Sequence, residues 1–490
     1  MRYTCSFFLF WVLFPIFGLS QSYQLTVVNG YGSGMYNEGD TVYIWSNPDF
    51  NDQVFENWSG SATSYMVEGN EWVTRITIPI GTGITSISAT ANHNDLASLA
   101  PTVTDLITLP GQDAGNIVPV SKEVHYRVPP NPKGMVFCFH GTNGSGLGFT
   151  NDIEKEAFFK SGALRNYIMI ATDCNEKTFG DQNGNGVKRW LISDAETDDA
   201  SNNIDIKMTN ALRDTMLNRL SLSNDLPTFA MGVSNGANFS DLCAAALGFE
   251  ASGHMTGNGH PDIYAVRSDA TPVIFVQSEN DQHSSANDSI VLSNYNALVN
   301  RNIDTEFHWH RKTPVYKHRF TRNADMLVTP QTSDSIYQRM VNTNGLLGTN
   351  NILLITDNSG LPSGLFDGLG LASGTITDCE NQIKIMNADH KFHSHYNNRI
   401  IDFFDSHIPI PTQINGQLKA STPKIYPNPT NGQISIENFE GKIGIYNSIG
   451  SLVYLSHTGF LNIESFKTGI YYVRFNYNNG RVQTSKIIKE

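Results

Sequence analysis

Five short apolar runs constrain this chain more than any other feature. GMVFCFH, NYIMIAT, PTFAMGV, TPVIFVQ and QIKIMNA recur between residues 134 and 388, separated by stretches with helical spacing. Runs of five to seven apolar residues bounded by turn signals read as strands buried on both faces, and the amphipathic segments between them as crossover helices. The expected fold class is therefore α/β, with a doubly wound, mostly parallel sheet over residues 123–408. At 490 residues there is room for about three domains of roughly 150 residues each. Only 16% of residues are charged, against a usual share of about 25%. Uncharged polar residues fill the difference, since 49 of the 490 residues are Asn. With 46 acidic and 33 basic residues the net charge is −13, and no basic stripe is visible. That excludes a nucleic acid as partner, because wrapping a polyanion needs clustered positive charge.

The first 20 residues, MRYTCSFFLFWVLFPIFGLS, place one arginine before an apolar core from Phe7 to Phe17, with small residues at Gly18 and Ser20. This is the pattern of a secretory signal peptide cleaved near Ser20–Ser22. The core is shorter than the roughly 20 residues of a membrane span, and no other segment is apolar for long enough to cross. Cleavage removes Cys5 and leaves Cys138, Cys174, Cys243 and Cys379, which allow three complete disulfide pairings. Cys138, in an apolar strand, and Cys243, in an apolar helical run, read equally well as free buried thiols.

Two regions flank the central pattern. Residues 22–92 alternate polar and apolar residues, with YQLTVVN, TVYIWSN and WVTRITIPI as strands between Gly- and Asn-rich turns. Tyr36, Gly39, Phe55, Trp58 and Gly60 fall in an order that resembles the bacterial repeat module related to the internalin B-repeats. That resemblance implies a small β domain serving as a spacer or adhesive module. Residues 93–122 read as a linker followed by entry strands. Residues 420–490 return to β character, with about seven short strands and Asn-Gly turns. YPNPTNG at Tyr426–Gly432, GIYYVRF at Gly469–Phe475 and the terminal SKIIKE resemble the type IX secretion sorting domain. The resemblance implies a β-sandwich tail, passage across the outer membrane by the type IX secretion machinery, and a secreted or cell-surface location.

The sharpest chemical signal is Gly232-Val233-Ser234-Asn235-Gly236, a G-x-S-x-G match between an apolar strand and a helix carrying Phe239, Leu242, Cys243 and Ala246. That context is what a nucleophile elbow needs. A serine hydroxyl requires a base to take its proton, and in this arrangement the acid and then the histidine follow the serine along the chain. Asp281, just past the strand TPVIFVQ, is the favoured acid, and Asp357, after NILLIT, is the rival. His390 comes first after the run QIKIMNA, read as the last strand, and is preferred as base over His393 and His395. His140-Gly141-Thr142 ends an early buried strand, so the backbone N–H groups of Thr142 and Asn235 form the expected oxyanion hole.

Across about 285 residues these features resemble the α/β-hydrolase family of serine esterases, and Gly-Val-Ser-Asn-Gly is most similar to the polyhydroxyalkanoate depolymerase and feruloyl esterase branch. That branch commonly has a second glycine where this chain has Ala237. Trp190, followed by the acidic TDDASNNID, is also similar to that branch. ADHKFH resembles the Asp-His-x-Phe turn that carries the base in many family members. The resemblance implies a serine hydrolase cleaving carboxylic esters through an acyl-enzyme, with no metal or organic cofactor. Its substrate would be a polysaccharide ester, an aromatic ester, a polyester or a lipid. A serine peptidase on the same fold is one alternative, and a surface binding or adhesion protein with an inactive hydrolase core is another. The long gap between Asp281 and His390 implies an insertion over about residues 311–380 that forms a lid or a substrate wall. His308/His310 and His393/His395 each put two imidazoles on what reads as one strand face, without a third ligand at a known metal-site spacing.

Overall fold

The computed structural model describes residues 22–47, 53–95, 99–182, 184–193, 196–257, 267–281, 288–322, 328–409, 423–437, 441–447, 452–456, 458–477 and 482–490. The expected signal peptide, residues 1–20, lies outside these residues. The chain divides into two compact units, residues 1–409 and 410–490.

The first unit is built on an eight-stranded sheet. Its strands are β1 (Val103–Asp113), β2 (Asn116–Arg127), β3 (Gly134–Phe139), β4 (Tyr167–Thr172), β5 (Thr228–Val233), β6 (Ala251–Met255), β7 (Val273–Ser278) and β8 (Thr305–His310). They lie side by side in the order β8-β7-β6-β5-β3-β4-β2-β1. All pairs from β4 to β8 are parallel, and the antiparallel hairpin β1–β2 joins the edge at β4. This is the doubly wound, mostly parallel α/β sheet expected from the apolar runs. Strands β3 to β7 are buried at every residue, which is why their sequences show no polar alternation.

Successive side chains of β3 go to opposite faces and into separate cores. Met135, Phe137 and Phe139 pack with residues of helices α2 (Ile204–Leu220), α3 (Asn235–Leu247) and α4 (Asp288–Asn300). Val136 and Cys138 pack with residues of α1 (Ile153–Leu164) and with Ile400, Ile401, Phe403 and Phe404 of the last helix of the unit, Asn397–Ser406. Cys138, Cys174, Cys243 and Cys379 are all buried free thiols.

The insertion after β8 carries α5 (Pro330–Asn342) and α6 (Ser373–Met386) around a core of its own that includes Val315, Phe320, Ile336, Met340, Leu353, Cys379 and Ile383. Here one expectation fails. QIKIM is the last turn and a half of α6, and α7 (Asn397–Ser406) follows with no strand between. The buried residues Thr375, Cys379, Gln382, Ile383 and Met386 recur at helical spacing. A short apolar run does not distinguish strand from helix by itself, and the polar residues upstream extend this one into a helix.

Residues 22–95 form two small sheets around Tyr23, Leu25, Ile44, Trp58, Trp72 and Ile87. The module is packed onto the α/β body instead of hanging from it as a spacer. Tyr316 of the insertion enters its core and stacks on Trp45 at 4.4 Å. The Trp72 Nε1–H donates to the carbonyl and hydroxyl oxygens of Ser394 at 3.1 and 3.0 Å. The backbone N–H of Arg399 donates to Glu71 at 2.7 Å. Beneath this seam sits Glu154, fully buried near the start of α1. It pairs with Arg322 at 2.8 Å and Arg319 at 3.4 Å, and accepts from the Ser394 N–H at 2.8 Å and the Ser394 hydroxyl at 2.5 Å.

The second unit is an antiparallel β-sandwich. A three-stranded sheet (Lys424–Tyr426, Gln433–Glu437, Phe460–Asn462) and a four-stranded sheet (Leu452–Ser456, Gly441–Tyr446, Gly469–Tyr477, Val482–Lys489) enclose Ile434, Ile443, Ile445, Val473, Phe475 and Ile487.

Burial alone would raise the Glu154 carboxyl, but Arg322, Arg319 and the Ser394 donors outweigh it and hold it at about 2. A depressed carboxylate stabilises the fold above its unfolded value of about 4.3 and loses that contribution as pH falls towards 2. Denaturant unfolding at pH 6 and pH 3 should show this acid lability, and Glu154→Gln should cost about 3–5 kcal/mol at pH 6 by stranding two buried guanidinium groups.

Candidate active site

In a sheet of this kind, sites form outside the C-terminal ends of strands where the chain reverses its direction of winding. Here β3 is that point, since β4 lies on one side of it and β5 on the other. Ser234 follows the last residue of β5 directly and precedes α3. Its backbone is at φ 58, ψ −124, a region that costs a non-glycine residue on the order of 1–3 kcal/mol and persists only where the surroundings enforce it. Its N–H donates to the Met255 carbonyl at the end of β6, 3.0 Å away. The two elbow glycines are there for space. A Cβ on Gly232 would lie 1.9 Å from the Gly236 carbonyl oxygen, and one on Gly236 would lie 2.4 Å from the carbonyl oxygen of Phe139. A side chain at either position would drive β5 and α3 apart or push the elbow off β3.

The turn after β3 faces the serine. A Cβ on Gly141 would be 3.2 Å from that of Ser234, so Thr142 begins next to the elbow. Asn235 is the first residue of α3, where a backbone N–H has no intrahelical acceptor. His140 fixes the turn from beneath: its Nδ1–H donates to the Gly141 carbonyl at 2.8 Å and its Nε2 accepts from the Cys174 N–H at 3.2 Å. Burial lowers its pKa to about 4, so it is neutral near pH 7 and serves both bonds.

Trp190 ties this turn to the elbow. Its indole N–H donates to the His140 carbonyl at 2.9 Å, its backbone N–H donates to Asn235 Oδ1 at 2.7 Å, and its ring stacks on Phe239. Sequence reading noted Trp190 without giving it a position. A lone large aromatic followed by polar loop residues was the signal available.

Past the end of β7, Asp281 is buried, and its Oδ2 accepts the Nδ1–H of His390 at 2.6 Å. The Asn280 N–H donates to the Ala388 carbonyl at 3.0 Å, which aligns the two loops. The rival acid is elsewhere: Asp357 is exposed, and its carboxylate accepts the Ser359 N–H at 2.7 Å. Met255, which sequence reading missed, touches both halves of the site, since its sulfur also contacts the His393 N–H at 3.4 Å. His393 and His395 are not on a strand face. They lie in the turn before α7, buried beside His310. The insertion borders the acid, with Asn280 Nδ2 donating to the Thr356 carbonyl and the Lys312 N–H to Glu279.

Residues 424–490 match the family model of the secretion system C-terminal sorting domain. No curated protein matches the chain. Among solved structures it is similar to an S-formylglutathione hydrolase from Agrobacterium tumefaciens, at 10% identity and a TM-score of 0.33, over 44% of this chain and 91% of that one. It is also similar to a dienelactone hydrolase from Anabaena variabilis, at 13% identity and a TM-score of 0.27, over 43% and 87%. A third is an acylaminoacyl peptidase from Pyrococcus horikoshii, at 10% identity and a TM-score of 0.31, over 64% and 53%. Among the described residues no helix is long and apolar enough to cross a membrane.

Because its Cβ would meet backbone rather than a side chain, Gly236→Ala is expected to destabilise the chain by about 1–3 kcal/mol or more. A denaturation midpoint equal to that of the unsubstituted chain would show that the β3 turn can yield.

Proposed function

We propose that this chain is an exported serine hydrolase that cleaves carboxylic esters. The observation that carries the reading is the strained conformation of Ser234 at the end of β5. Such strain persists only where something enforces it, and here it presents a hydroxyl beside the Gly141–Thr142 turn. In this mechanism Ser234 Oγ attacks the acyl carbonyl carbon while His390 accepts the hydroxyl proton. The Asp281 carboxylate holds the Nδ1–H tautomer, which leaves the Nε2 lone pair to act as base, and it stabilises the imidazolium that forms. The backbone N–H groups of Thr142 and Asn235 receive the developing oxyanion, worth about 3–4 kcal/mol per donor in comparable sites. His390 then protonates the leaving alcohol. A water, deprotonated by His390, attacks the acyl-enzyme and releases the acid, regenerating Ser234.

The polyhydroxyalkanoate depolymerase and feruloyl esterase branch supplies the preferred substrates, polyesters and aromatic esters. The insertion around Thr356, next to Asn280, is the wall that selects among them. The leader and the type IX sorting tail put the reaction at the cell surface or in the medium.

A fluorophosphonate probe should label the mature chain and leave Ser234→Ala unlabelled; a folded chain that resists the probe would end the enzyme reading. On short acyl esters, Asp281→Asn should lower kcat by about 10⁴, as loss of the orienting carboxylate does in a comparable triad. Asp357→Asn should stay within about twofold of the unsubstituted chain, because its carboxylate only caps a turn. Cleavage of peptide bonds at rates matching those on esters would move the assignment to a peptidase.

A further inference from the structure

Three imidazoles meet in the interior. His310 is the last residue of β8, and His393 and His395 flank Ser394 in the turn before α7. Their exposures are 1%, 0% and 4%. One nitrogen from each lies within 4.8 Å of the other two, and His310 Nε2 is 3.0 Å from His395 Nδ1. Among the described residues, both nitrogens of His393 and Nε2 of His395 are buried without a hydrogen-bond partner. Each such atom costs about 1–3 kcal/mol, and three of them gathered in one place call for a partner, which an ion bound between the rings would supply. The sequence hid this grouping because it pairs His308 with His310. In the fold, His308 turns to Glu306 at 2.8 Å, and His310 joins the other pair from 83 residues away.

The geometry points to a zinc site in which His310, His393 and His395 each give one imidazole lone pair to the ion. Three nitrogen donors with no carboxylate among them suit zinc and its borderline neighbours, not calcium or magnesium, which require oxygen. Zn–N bonds of about 2.0–2.1 Å put tetrahedral ligand atoms about 3.3–3.4 Å apart, so the widest pair has to close by on the order of 1 Å. Only neutral imidazole ligates. Glu154, paired with Arg319 and Arg322, offsets one of the two guanidinium charges that a divalent cation would otherwise meet. The ion would staple the end of β8 to the turn that continues from His390, so its role is structural and independent of acyl chemistry.

The test uses the mature full-length chain, incubated with ZnCl2, freed of excess metal by gel filtration and analysed for zinc. About one equivalent per chain is expected. His308→Ala should keep it, and His393→Ala and His395→Ala should each lose most of it. The CoCl2-loaded chain should show the intense visible bands of low-coordinate Co2+. The proposal is overturned if the unsubstituted chain keeps no zinc above its buffer blank, or if folded His393→Ala and His395→Ala both keep as much as it does. If those variants do not fold, the cobalt spectrum decides, and its absence overturns the proposal. None of these readouts depends on ester cleavage, so loss of the enzyme reading would leave the metal result standing.

Discussion

A single buried carboxylate organises the largest part of this molecule. Glu154 lies at the start of α1 with no access to water, where an unpaired charge is prohibitively costly. The solution draws partners from distant parts of the chain: Arg319 and Arg322 from the insertion, Gln382 from α6, and Ser394 from the turn before α7. Trp72 of the N-terminal module then closes over the assembly, bonded to Ser394 and lying 3.8 Å beneath the Arg322 guanidinium. A buried pair of this kind adds little net stability against an apolar core of the same shape, yet breaking it is expensive. It therefore acts as a registration device. The insertion and the histidine-bearing turn meet at Glu154, and the module meets them at Ser394.

That device matters because the site is assembled from separate places. The elbow belongs to β5, the turn facing it to β3, the acid to the loop after β7, and the histidine to a turn that comes after the whole insertion. The sheet carries the first three at the C-terminal ends of its strands, with His140 and Trp190 bracing the elbow and the turn facing it. The histidine turn has no strand to hold it. It is fixed by its bonds to Glu154, by the Asn280–Ala388 contact and by Met255, which reaches from β6 to both the elbow and the turn. The N-terminal module contributes through the same seam, which makes it part of the architecture of the α/β unit.

How much was legible in the sequence follows from how local each signal is. Four of the five apolar runs are strands, since burial on both faces leaves a continuous apolar signature. The fifth, QIKIM, is helix, because its apolar character continues a helical stripe that begins at Thr375. Strand β6 escaped notice because ASGHM is small and mixed in polarity, and β8 showed only as the strand face of His308 and His310, because TEFHWH sits at the sheet edge and is only partly buried over most of its length. The elbow was readable as a motif because Gly232 answers a steric demand made within five residues, by the Gly236 carbonyl, although Gly236 itself answers one made by Phe139 and His140. Asp281 over Asp357 was a choice of position after a strand. Trp190 showed only as a lone large aromatic and Met255 not at all, since what they touch is far away in sequence.

The sequence by itself determined the α/β layering, the strand–turn–helix pattern around Ser234 and the β character of the tail, because each shows as a periodicity or motif within a few residues. Only the tertiary structure decided which carboxylate meets His390, which histidines gather around Ser394, and that the N-terminal module is packed onto the α/β body. Those choices are made by burial. A charge or an imidazole taken out of water must find its partner wherever the fold brings one, and the distance along the chain has no bearing on which one that is.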